Sequence, residues 1–80
     1  HGYFPQVFVW RGMRYDVRAV ERCWTVKQSG WRGDVEQHRF RVRCDYGPAH
    51  NRRTGAFEIY QDVQHNTWHI LGPSGRRGRR

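Results

Sequence analysis

Between residues 38 and 46 the chain alternates strictly. In "HRFRVRCDY", Phe40, Val42, Cys44 and Tyr46 occupy one side of a period-two pattern, and Arg39, Arg41 and Arg43 occupy the other. Successive side chains of a strand point to opposite faces, so the pattern predicts a strand with one packed side and one side carrying three guanidinium groups. A one-residue slip would bury those three charges. The arginine row therefore sets the register by exclusion, whatever else it does.

The same period reads on either side of this strand. "VFVW" places Phe8 and Trp10 together, and "RG" at 11 and 12 predicts a turn in which Gly12 can take positive φ. Met13, Tyr15 and Val17 share a side of the next strand. The pattern then slips: Val20 and Trp24 resume it with Arg22 between them on the same nominal side. One residue inserted near Ala19 would repair the phase, so a β-bulge or bend is predicted there. "KQSGWRGDVEQ" holds two glycines and few apolar residues and reads as a loop anchored by Trp31. "GPAHNRRTG" reads as a second loop, broken by Pro48 and its bounding glycines. "AFEIYQDV" and "NTWHIL" predict a final hairpin with "QHN" near its tip, turning Phe57, Ile59, Trp68 and Ile70 to the core.

Five strands result, joined mostly as an antiparallel meander, with no helical periodicity of useful length. The expected fold is all-β: a small five-stranded meander curled into an SH3-like or related open barrel, with a flatter dimerising sheet as the rival. Residues 1–72 are expected to form one small β domain. Residues 73–80, rich in glycine and arginine, read as a disordered basic tail. The chain of 80 residues can bury only a small core, and its 15% aromatic content, including four tryptophans, sets it apart from a disordered basic segment.

Charge narrows the partner classes. The formal net charge is +8, and Lys27 is the only lysine, so arginine carries almost all of the positive charge. Without the tail's four arginines the formal charge falls only from +8 to +4. Guanidinium groups grip phosphate and carboxylate as forks and stack on rings. Nucleic acid is thus the first partner class and an acidic protein surface the second. The expected binding face carries Arg39, Arg41 and Arg43, with Arg14 and Arg18 from the preceding strand, Arg52 and Arg53 from a loop, and Arg76, Arg77, Arg79 and Arg80 from the tail. Arginines two apart on a strand lie about 6.6 Å apart, close to the internucleotide spacing of an extended single strand. Single-stranded DNA or RNA is favoured, with low sequence specificity. Tyr60, opposite in phase to Phe57 and Ile59, and Trp31 are the candidate stacking rings; Trp10, Trp24 and Trp68 fall on the inferred core side.

Two other readings stay open. The arginine row can be a solvated face paired to nearby carboxylates such as Glu21, Asp45 and Glu58, each exposed pair worth a fraction of a kcal/mol. The domain can also be a structural or protein-interaction module that uses a strand edge and loop aromatics. No enzyme and no cofactor are expected. Cys44 and His38 lack an orienting group, Glu58 and Asp62 are ordinary sheet carboxylates, and no phosphate loop leads into a helix. No metal is expected either, because Cys23, Cys44, His38, His50, His65 and His69 include no closely spaced cysteine pair. With no signal peptide and no transmembrane run, the expectation is a cytoplasmic monomer or weak homodimer.

The segments "PQVFVWRGMRYDV", Val20–Trp24, "FRV", "FEIYQD" and "TWHI" together resemble a family of small uncharacterised actinobacterial proteins, classed as a domain of unknown function, with a Phe-x-Trp-Arg-Gly start. The resemblance spans residues 5 to 71 and rests on Phe8, Trp10, Arg11, Gly12, Tyr15, Val17, Glu58, Ile59, Tyr60, Asp62 and Trp68. It implies genes lying near DNA-repair polymerases, which inclines the partner toward DNA and assigns no activity. The chain departs from the family pattern at "LGPSG" and in its arginine-rich tail.

Overall fold

A computed structural model describes residues 4–31 and 33–74. The tail arginines 76, 77, 79 and 80, and the disorder expected of the tail beyond Ser74, lie outside the described residues. The strands are β1 (Val7–Trp10), β2 (Met13–Gly30), β3 (Gly33–Tyr46), β4 (Arg53–Asp62) and β5 (Thr67–Pro73), with a single 3-10 turn over Ala49–Asn51. They form one sheet in the order β1-β2-β3-β4-β5, and every neighbouring pair is antiparallel. The expected meander is present, but the sheet is not closed into a barrel.

The β1–β2 turn is built as the sequence indicates. Arg11 and Gly12 both have positive φ, 54° and 76°. That is the backbone of a two-residue hairpin whose twist matches its strands. The Arg11 guanidinium lies 4.6 Å over the Trp10 ring. A second constrained glycine, Gly47, has φ 96°, and a Cβ there would sit 2.9 Å from the Asn51 carbonyl oxygen. Only glycine fits the chain reversal that leads from β3 toward β4.

The core is small and largely aromatic. Tyr15, Val42, Cys44, Phe57 and Ile59 are buried, and Phe4, Phe8, Trp10, Val17, Phe40, Tyr46, Trp68 and Ile70 pack against them. Tyr15 sits at the centre of the ring contacts, stacked on Phe8 at 5.1 Å and edge-on to Phe57 at 4.8 Å. Phe4 closes the core from the N-terminal side, edge-on to both Phe40 and Trp68. Such pairs add about 0.5–1.5 kcal/mol each beyond the area they bury, which matters in a domain with so few aliphatic residues inside.

Two sequence expectations need correction. Residues 27–37 are not a loop. Lys27 pairs with Glu36, Gln28 with Val35, Ser29 with Asp34 and Gly30 with Gly33, so β2 and β3 continue to a tight turn that carries Trp31. β4 ends opposite Gln37, so the hairpin runs on past the sheet as a two-stranded arm. Both faces of the arm meet water, which removes the apolar alternation that marks a strand.

The second correction concerns phase. β2 holds two insertions relative to β3, at Arg18 and Glu21, not one. The first moves the inward-facing positions from odd to even numbers, and the second moves them back. Arg22 therefore leaves the core side, Cys23 turns inward opposite Phe40, and Trp24 turns outward opposite Arg39. Trp24 is not a core residue.

Ile59 is 2% exposed at the centre of the core. Ile59→Ala is expected to cost about 2–5 kcal/mol, read from the midpoint of urea unfolding. The cysteines should separate by reactivity. Burial pushes the Cys44 thiol up to about 11, whereas Cys23 is exposed. At neutral pH an aromatic disulfide reagent should titrate one thiol in the native protein and the second only on unfolding.

Candidate functional site

The outer face of the sheet, opposite the core, carries the arginine row, and it divides into two chemically different halves. In the half nearer β1, carboxylates take up the guanidinium groups. Arg14 Nε donates to Asp16 Oδ1 at 3.1 Å, and Arg52 Nη2 donates to Asp16 Oδ2 at 2.9 Å while its Nη1 donates to the Gly47 carbonyl. Arg18 Nε lies 3.4 Å from Asp45 Oδ2, and the Thr54 hydroxyl donates to the other Asp45 oxygen. Arg43 is paired with Glu21, the second bulged residue of β2. Arg14, Arg18, Arg43 and Arg52, all expected on a ligand face, are thus largely neutralised in place. Arg53 pairs with Tyr46, a core-side residue, and so does not join the row.

The other half is different. Trp24, Arg39, Tyr60 and His69 stand directly opposite one another on β2, β3, β4 and β5. With strands about 4.8 Å apart, this ladder of rings and one guanidinium spans about 14 Å. The Arg39 guanidinium lies 5.7 Å from the Tyr60 ring centre, and its Nε donates to Gln37 Oε1. Tyr60 and His69 are stacked, with centroids 4.8 Å apart and planes 21° from parallel. Arg22 lies 4.9 Å over the Trp24 ring. The adjacent rung holds Arg22, Arg41 and Glu58 in register.

Arg41 is the least satisfied polar group on this face. Its Nε is buried and has no hydrogen-bond partner. Its cross-strand neighbour Glu58 accepts a hydrogen bond from the Ser74 hydroxyl instead. Among the described residues, the ion pairs include none with Arg22, Arg39 or Arg41. A buried donor left unpaired costs about 1–3 kcal/mol, a cost that the fold carries at this point of the face.

Tyr60 stands where the sequence places it. Trp31 does not join the ladder: it is 90% exposed at the tip of the arm, seven residues from Trp24 and so about 20 Å away by strand rise. Trp24, His69 and Arg22 are the residues the sequence reading missed. His69 was within reach, since it alternates with Trp68 and Ile70. The signal for Trp24 was Arg22, whose position on a nominal core side already called for a further bulge. Among the described residues no cluster of three His, Cys, Asp or Glu side chains is placed to hold a metal, and no helix is long and apolar enough to cross a membrane.

A family model for DUF6504, a domain of unknown function, matches residues 2–72. The chain belongs to that family. Comparison with curated proteins and with solved structures gave no match. The match to DUF6504 covers all five strands short of the last residue of β5, so the outer face lies almost wholly within the domain. The arginine tail lies outside the matched residues.

Asp16 provides a pH test of the neutralised half. Hydrogen bonds from Arg52 and then Arg14 hold its carboxyl below the usual carboxylate range. A depressed folded-state value contributes stability above the unfolded value and loses it as pH falls through the folded one. Asp16→Asn should therefore lower stability at pH 7 but change it little at about pH 2, so that the two unfolding curves converge in acid. Equal offsets at both pH values would assign the effect to packing instead.

Proposed function

We propose that this domain binds single-stranded nucleic acid with low sequence specificity on the ladder formed by Trp24, Arg39, Tyr60 and His69. The observation that carries the reading is the interleaving of rings with guanidinium groups that local carboxylates leave uncommitted. Bases stack on Trp24 and on the Tyr60–His69 pair, while Arg22, Arg39 and Arg41 meet phosphates. Stacking accepts any base and phosphate contacts carry no sequence information, so binding is general. A single strand suits this face better than a duplex, because side-chain rings can stack on bases only when the bases are not already stacked on one another. Arg14, Arg18, Arg43 and Arg52 contribute weakly, since their charge is cancelled nearby. The tail arginines and Arg53 add salt-sensitive attraction without positioning the ligand.

The alternative, a protein-interaction module, predicts weak nucleic-acid binding that disappears when residues 76–80 are removed. Fluorescence anisotropy with labelled single-stranded DNA, RNA and duplex DNA at two salt concentrations separates the two. Trp24→Ala is expected to cost about 1–3 kcal/mol on every single strand. Arg39→Ala with Arg41→Ala should reduce the salt slope by roughly 0.7 per lost phosphate contact. Arg14→Ala with Arg18→Ala should leave affinity nearly unchanged. Binding that survives the Trp24 and Arg39/Arg41 substitutions but not tail removal would reject the ladder as the site.

A further inference from the structure

β2 is the longest strand and is covered unevenly. β3 pairs with it from Tyr15 to Gly30, whereas β1 pairs only with Met13–Asp16. The Val17 amide donates to the Gln6 carbonyl at 2.8 Å. Beyond that bond, no strand among the described residues pairs with this side of β2. The two bulges disturb the edge at Arg18 and Glu21, but from Arg22 to Gly30 the pairing with β3 is unbroken. A regular stretch of nine residues, about 30 Å long, therefore keeps one side of its backbone N–H and C=O groups unpaired by strand.

Side chains are uncovered at the same place. Val20 lies on the core side, opposite the fully buried Val42, yet is 47% exposed. Cys23, opposite Phe40, also faces inward and is exposed. Both stay open because nothing stands beside β2 there. One added strand along Arg22–Gly30 would pair the backbone and cover Cys23.

Charge selects among the possible strands. Along this edge Arg18 is tied to Asp45 and Glu21 to Arg43, while Arg22 and Lys27 have no carboxylate within ion-pair distance among the described residues. On the next strand inward Arg39 and Arg41 stand toward the Arg22 end, and Glu36 and Asp34 stand opposite Lys27 and Ser29 toward the tip, so the positive end of the edge is at Arg22. A second copy of this chain, with its formal charge of +8, would bring like charge against like. An acidic segment meets opposite charge. We infer that the β2 edge from Arg22 to Gly30 binds an extended acidic peptide as an added strand, with an apolar residue facing Cys23 and a carboxylate facing Arg22. Backbone pairing supplies affinity, and the alternation of side chains supplies selection. This site rests on the backbone of the strand edge and shares Arg22 with the nucleic-acid face; protection of the edge amides tests it apart from nucleic-acid binding.

The test uses the full chain and a short capped peptide alternating valine with glutamate. Two controls accompany it: the same peptide with alternate backbone amides methylated, and one with lysine in place of glutamate. The parent peptide should bind and slow hydrogen exchange at alternate amides between Arg22 and Gly30, those that point away from β3. Each control should bind about tenfold more weakly or worse, the worth of one or two backbone or charge-assisted hydrogen bonds. Equal binding by the methylated peptide would reduce the effect to charge attraction and overturn the proposal, as would equal binding by the lysine peptide or no protection at saturation. Protection of the same amides in protein alone, rising with concentration, would assign the edge to a second copy.

Discussion

The two-sided pairing of β3 governs this molecule. From Gln37 to Tyr46 every residue has a partner in both β2 and β4. Val42 and Cys44 are fully buried on one side, while Arg41 and Arg43 extend from the other. Because side chains alternate with period two, slipping β3 by one residue would exchange these sets and place guanidinium groups among Tyr15, Phe57 and Ile59. Desolvating even one of those charges costs several kcal/mol, comparable with the whole stability of a small domain. The register of β3 then fixes which residues of β4 face inward, through Val42 opposite Phe57 and Phe40 opposite Ile59. Core and outer face are thus two consequences of one alternation.

β2 answers that constraint differently along its length. Its first part follows the phase of β3 with Tyr15 and Val17 inward, and its last part does so with Cys23 inward and Trp24 outward. Two inserted residues separate these parts, and neither is wasted. The inserted Arg18 reaches Asp45, and the inserted Glu21 reaches Arg43. Bulges bend a strand and increase its twist, so β2 leaves the core and enters the arm without breaking its ladder to β3. The same two residues bring Trp24 into line with Arg39 and remove the charge of Arg43 from the surface field. Half of the outer face owes its chemistry to the bulges.

This explains how far the sequence could be read. The turn at Arg11–Gly12, strand β3, the β4–β5 hairpin and the outward placement of Tyr60 were legible, because each has a buried face that imprints period two or a turn that demands positive φ. The DUF6504 relationship was legible too, as a resemblance to an uncharacterised domain family. The arm was not, since residues 27–37 have water on both faces and glycines that read equally well as loop. The neutralised arginines were not either. Arg43 and Glu21 are 22 residues apart, and Arg52 and Asp16 are 36 apart, so their pairing exists only once the strands are laid side by side. One bulge could be inferred from the phase slip at Ala19. The second could be inferred only by refusing to leave Arg22 on the core side.

The distribution of ion pairs bears more on field than on stability. Exposed pairs of this kind contribute about 0–1 kcal/mol each, too little to explain why four arginines and three carboxylates gather at the β1 side of the face. Their larger effect is cancellation. At that side Arg14, Arg18, Arg43 and Arg52 form ion pairs with Asp16, Glu21 and Asp45, whereas around the ladder Arg22, Arg39 and Arg41 share the face with Glu58 and Asp62 and pair with neither among the described residues. Salt screens exposed charge over about 8–10 Å, less than the width of the face, so the two halves present separate potentials. The halves differ less in net charge than in its surroundings: beside the ladder the guanidinium groups stand next to Trp24, Tyr60 and His69 and outside the ion pairs. Positive charge spread evenly over the sheet would attract anions without placing them. On the proposed reading it is the rings beside unpaired guanidinium groups, and not an excess of charge, that would give an anion a position.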